Sequence, residues 1–108
     1  MKTKIVKSCY GTWMAETQAE LTDELHFNIT TMKRHSGNIT TTAQVGKKDG
    51  FFFIYEPFKD FSVTLICSST RCTKLAVERQ HSEALGMLEG VQAQALDHYN
   101  RAALPLYY

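Results

Sequence analysis

The sequence predicts an α+β fold: an antiparallel meander of four or five strands, then one long C-terminal helix packed on one face of the sheet. Three observations predict it. Between Leu25 and Cys67 apolar and polar residues alternate in short runs, the period of half-buried strands. Turn-forming residues separate those runs. From about Thr73 to Leu104 there is no proline, and apolar residues recur at helical spacing.

Lys4 to Trp13 reads as the first strand, with Ile5, Cys9 and Trp13 on one parity and Val6, Tyr10 and Met14 on the other. Gly11 inside it marks a bulge or bend. Ala15 to Glu24 is ambiguous. Its composition favours helix, and Met14, Gln18, Leu21 and Leu25 have roughly helical spacing, yet Trp13, Ala15, Ala19 and Leu21 share a strand parity. The reading taken is a strand to about Leu21 and a turn at Thr22-Asp23.

Leu25 to Arg34 is a clearer strand: Leu25, Phe27 and Ile29 alternate with His26, Asn28 and Thr30. His35-Ser36-Gly37-Asn38 is turn chemistry, and Ile39 to Val45 alternates again, so the pair makes a hairpin. Lys47-Lys48-Asp49-Gly50 closes a second one, Asp-Gly being a strong hairpin signal. Phe51 to Tyr55 is apolar on both parities, which predicts a strand covered on both faces or central in the sheet. Pro57 lies in the next turn. Phe61 to Cys67 alternates Phe61, Val63, Leu65 and Cys67 against Ser62, Thr64 and Ile66. Ser68-Ser69-Thr70 then offers N-cap hydroxyls, with no capping box to fix the helix start.

At 100° per residue, Val77, His81, Ala84, Leu85, Leu88, Val91, Ala95, Leu96, Tyr99, Ala102 and Ala103 share one helix stripe, while Arg79, Gln80, Glu83, Gln94, Asp97 and Arg101 lie opposite. Some 30 helical residues would span about 45 Å, against a radius of gyration of about 13 Å for a domain of this size. The helix therefore breaks or overhangs its sheet. Gly86 and Gly90 are the natural break points, each costing about 1 kcal/mol against alanine. With Ala93 they also form a small-residue strip that would let a second backbone approach, so Gly86, Gly90 and Ala93 are the expected homodimer interface. The apolar tail Leu104-Pro105-Leu106-Tyr107-Tyr108 either folds back or docks on a partner.

Composition narrows the function. The 108 residues make a single domain, 1–108, and an apolar fraction of 44% is enough for a core. A net charge of +1 weighs against a non-specific nucleic-acid binder. Lys2, Lys4 and Lys7 precede no apolar h-region, and no run approaches membrane-spanning length; the expected location is cytoplasmic, with no membrane partner. Cys9, Cys67 and Cys72 then read as reduced thiols.

No catalytic motif rises above background, and the expectation is a non-enzyme without cofactor or metal. Cys67 and Cys72 lack the second Cys/His pair that a closed zinc site needs, and His81 and His98 lie almost five turns apart on the helix. Cys9 and His26 could form a nucleophile and base only if their strand parities agreed, and they do not. His81 reads as a satisfied core histidine.

The sheet face away from the helix is expected to carry Thr30, Thr40, Thr42 and Gln44, with Phe52 and Ile54 in its middle. Lys33-Arg34-His35 forms a basic hairpin tip. Lys33, Arg34, His35, Thr40, Thr42, Phe52 and Ile54 are therefore the expected partner-binding residues. The function they suggest is stoichiometric protein binding, of the kind used by phage- or plasmid-borne inhibitors of host machinery. The alternative is single-stranded nucleic-acid binding on the same polar face. Strands first and helix last is an order that resembles PUR-type and Whirly-type single-strand binders in arrangement, although no motif of either family is present.

Overall fold

The computed structural model describes residues 2–103. The apolar tail singled out above lies outside the described residues. Six strands and two helices follow in order: β1 (Lys2–Lys7), β2 (Trp13–Glu20), β3 (Leu25–Lys33), β4 (Ile39–Asp49), β5 (Phe52–Ile54), β6 (Phe61–Ser68), α1 (Lys74–Leu85) and α2 (Leu88–Ala103). All strand pairings are antiparallel, and β1 to β4 form a meander. The fourth strand is the longest and pairs on its far side with two partners in succession. β5 lies against Lys47–Asp49, and β6 lies against Ile39–Val45. β5 and β6 thus act as one broken strand, interrupted by the excursion over residues 55–60.

The stretch Lys4–Trp13 is a hairpin rather than one strand. Gly11 adopts φ +82°, a left-handed conformation that glycine reaches at little cost. The Ser8 hydroxyl meets the Thr12 hydroxyl at 2.7 Å and accepts from the Thr12 amide at 3.2 Å, closing the turn. Ala15 to Glu20 is strand, and the chain turns over residues 21–24.

The helical segment divides at Gly86 and Met87. Gly86 caps α1 in an αR conformation, and its N–H is shared between the Ser82 and Glu83 carbonyls. A hydrogen bond from the Met87 N–H to the Ala84 carbonyl carries the chain through the kink. The N-cap of α1 is Thr73, beyond the serines suggested by sequence; its hydroxyl accepts from the Ala76 N–H at 3.1 Å. With principal extents of 52 × 28 × 24 Å and a radius of gyration of 15.0 Å, the molecule is longer than a domain of this length needs to be.

Both helices cover the same sheet face. α2 buries Val91 and Ala95 against Phe27, Ile29, Ala43 and Val45. α1 buries Val77 against Ala15 and Ile39, with Trp13 at the rim. Between these apolar clusters lies a polar seam. The His81 ring is buried, with Thr17 Oγ1 at 2.6 Å from Nε2 and Thr31 Oγ1 at 2.8 Å from Nδ1. Thr31 meets Thr41 at 2.7 Å, and Thr17 meets Thr3 at 2.7 Å. Gln80, assigned above to the solvent side of the helix, is buried as well. Its amide donates to the Ile39 carbonyl at 3.0 Å and to Thr41 Oγ1 at 3.1 Å, and its carbonyl accepts from Ser68 at 2.7 Å.

Those contacts fix the sense of the whole chain. Gln80 Nε2 must donate to Thr41, so the Thr41 hydroxyl donates onward to Thr31, and Thr31 donates to His81 Nδ1. His81 is then the Nε2–H tautomer and donates to Thr17, which donates to Thr3. The opposite sense would leave the Thr41 hydroxyl buried without an acceptor. Burial of the ring holds the His81 pKa below its ordinary 6.5.

Candidate interaction surfaces

The strand turns and the sheet's outer face form three separate surfaces. At one end, the β1–β2 and β3–β4 turns bring Tyr10 beside Met32, Lys33, Arg34 and His35 around a shallow depression of about 410 Å³. Gly37, at φ +90°, turns the β3–β4 hairpin and leaves Lys33, Arg34 and His35 exposed. Tyr10 is 90% exposed.

The outer face of the sheet is built from cross-strand rows. Met14, Met32, Thr40 and Cys67 form one; Glu16, Thr30, Thr42 and Thr64 form the next; Gln18, Asn28, Gln44 and Ser62 form a third. Thr40 and Thr42 thus lie where their parity placed them. Arg34 reaches back to donate to Thr42 Oγ1 at 3.3 Å, joining the basic tip to this face. Cys67 also faces outward, 3.8 Å from the Thr40 hydroxyl, because a bulge between Thr41 and Thr42 inserts Leu65 and reverses the parity of the strand end. Ile66 and Ser68 take the helix side, correcting the parity read from sequence.

Phe52 and Ile54 are not in the middle of this face. They pair with Asp49 and Lys47, on the helix-side parity and beyond the helices' cover, at the far end of β4. Only Phe53 shares the outer face, opposite Lys48. Its ring lies over Gly46, where a Cβ would overlap the Ile54 carbonyl and come within 3.2 Å of the phenyl ring. Of the stretch Phe51–Tyr55 only Phe52–Ile54 is strand, a short edge strand, contrary to the central or doubly covered strand that its apolar run implied. Phe51 sits on the turn made by Gly50, at φ +62°. Phe51 and Phe58 are fully exposed, and Phe52 is 75% exposed.

The residues behind this aromatic end are well held. The Tyr99 hydroxyl lies 2.8 Å from the Val45 carbonyl and 3.0 Å from Asp60 Oδ1, and it accepts from the Phe61 N–H at 3.4 Å. Burial, reinforced by Asp60, pushes the Tyr99 pKa up to about 12. Asp60 Oδ2 accepts from the Glu56 N–H at 2.8 Å and so closes the loop that carries Phe58.

Gly86, Gly90 and Ala93 are exposed along one side of an open groove of about 760 Å³ between α2 and β6. Cys9, in the first turn, and His26, on the outer face near Lys48, are far apart along the strands. Among the described residues no three His, Cys, Asp or Glu side chains converge as a metal site requires. No helix among them is long and apolar enough to cross a membrane.

The sequence had pointed to Phe52 and Ile54 but not to Phe51 or Phe58. The Asp49-Gly50 signal could have located Phe51, since the residue leaving such a turn at a sheet edge has little to pack against. The chain matches no protein-family model, no curated protein and no solved structure.

Proposed function

We propose that this is a non-enzymatic protein-binding module whose docking surface is the aromatic end of the sheet. The carrying observation is the exposure of Phe51, Phe52 and Phe58 on a framework that is itself tightly bonded. Each exposed phenyl ring offers on the order of 150 Å² of apolar surface to a partner. Burying all three in a partner would contribute about 10 kcal/mol before the costs of association. Lys48 lies beside Phe51 and Phe52, and Lys59 pairs with Glu56 at 3.7 Å on the loop that carries Phe58, so charged groups accompany the rings. A stoichiometric inhibitor of a larger protein is the form of activity most in keeping with the size of the chain. Co-purification with a tagged chain from nuclease-treated lysate, read by mass spectrometry, tests the proposal: a partner in stoichiometric amount supports it, and its disappearance with nuclease counts against it.

One observation favours a second reading, single-stranded nucleic-acid binding. Tyr10 stands exposed beside Lys33, Arg34 and His35, a ring on which a base could stack with cations for the phosphates. On this reading Lys33→Glu with Arg34→Glu weakens binding and flattens its salt dependence by about two log-log units. Binding without salt dependence would dispose of it.

A further inference from the structure

The two free edges of the sheet differ. β1 carries Lys2, Lys4 and Lys7 along one edge, the charge guard that keeps an edge strand from pairing with another chain. β6 closes the other edge with Phe-Ser-Val-Thr-Leu-Ile-Cys-Ser, eight residues without charge or proline. It pairs with β4 on one side, and no described strand pairs with it on the other.

The direction of its backbone groups follows from Tyr99. The Phe61 N–H donates to the Tyr99 hydroxyl, which also bonds the carbonyl of Val45, the β4 partner of Phe61. The Phe61 N–H therefore faces β4. Backbone direction alternates along a strand, so Ser62 and Thr64 turn their N–H and C=O groups to the open edge. Alongside that edge runs the groove whose far wall is Gly86, Gly90 and Ala93, with Glu89 as its one charged lining residue. At Gly90 a Cβ would meet nothing within 4 Å.

We propose that the chain forms a two-fold symmetric homodimer in which β6 pairs antiparallel with β6 of a second copy, while the two α2 helices meet along Gly86, Gly90 and Ala93. An antiparallel pair of identical strands is self-complementary and closes on itself. The resulting sheet has lysine-guarded β1 strands at both outer edges, which stops further growth. Eight residues of strand are about 26 Å long, and a sheet-plus-helix edge is roughly 20 Å deep. Such a contact buries about 1,000 Å² in total, at the floor for a specific interface.

Sedimentation equilibrium of the full chain tests this. The wild type is expected to be a dimer at micromolar concentration. Thr64→Pro removes an open-edge N–H without touching the β4 ladder and should weaken the dimer at least tenfold with an unchanged far-UV spectrum. Thr64→Lys, which sets two like charges side by side near the two-fold axis, should do the same and serves if the proline variant fails to fold. A wild type that is monomeric at high micromolar concentration overturns the proposal. A dimer of unchanged affinity in the folded variants overturns β6 as its interface.

Discussion

Replacing His81 by leucine should be costly although the two side chains have similar volume. The leucine fills the space, so the loss is polar rather than steric. The Thr31 hydroxyl loses its acceptor and Thr17 loses its donor, both in a site closed to water. A buried donor left unpaired costs about 1–3 kcal/mol, and the unmatched Thr17 lone pair adds less, giving about 2–3 kcal/mol together. That is a large share of the 5–15 kcal/mol typical of a domain. The one-directional chain makes a sharper claim about rescue. Adding Thr31→Val alone moves the orphan to the Thr41 hydroxyl, which then has no acceptor. Adding Thr31→Val and Thr41→Val together leaves the two Gln80 amide hydrogens to the Ile39 and Ile66 carbonyls, at 3.0 and 3.4 Å, and Thr17 bonded to Thr3, so each remaining donor keeps a partner. The triple variant should therefore recover most of the loss and His81→Leu/Thr31→Val should not, as measured by urea unfolding. A His81→Leu variant as stable as the wild type, or recovery already complete with Thr31→Val alone, would refute the reasoning.

Three further outcomes follow from the same geometry. Burial lowers the His81 pKa below 6.5, so the unfolded chain takes up the proton first; stability should be full above about pH 6.5 and fall as the pH drops, by at most about 1.4 kcal/mol per unit, and His81→Leu should lose that dependence. Tyr99 should resist ionisation until about pH 12 in a spectrophotometric titration, and Tyr99→Phe should abolish that phase while costing about 1–2 kcal/mol through the Val45 and Asp60 contacts. Gly46→Ala should destabilise the fold by about 1–3 kcal/mol in the same unfolding assay, because the backbone of β5 stands in the way.

The central part of the sheet was legible because its residues obey one rule at a time. Phe27 and Ile29, and Ala43 and Val45, alternate strictly with polar neighbours and face the helices. The departures arise where a second force competes with periodicity. Gly11 reverses a chain whose parity reads through it without a break. The bulge at Leu65 shifts the register by one residue, which alternation alone cannot register. Gln80 is polar and lies on the polar side of the helical wheel, yet it is buried because carbonyl and hydroxyl partners await it across the sheet. The same partners explain why Thr17, Thr31 and Thr41 are core residues despite their hydroxyls. At the aromatic end, an apolar run signals burial by default. Here it marks an edge, since the turn at Gly50 carries Phe51 beyond the helices' reach.

The most direct test of the proposed docking surface compares the tagged wild-type chain with Phe51→Ser/Phe52→Ser in nuclease-treated co-purification. Both rings are exposed and serve no described packing cluster, so the variant should fold as the wild type does. A stoichiometric partner held by the wild type and lost by the variant is the predicted result. A partner retained equally by both would contradict the assignment of the aromatic end.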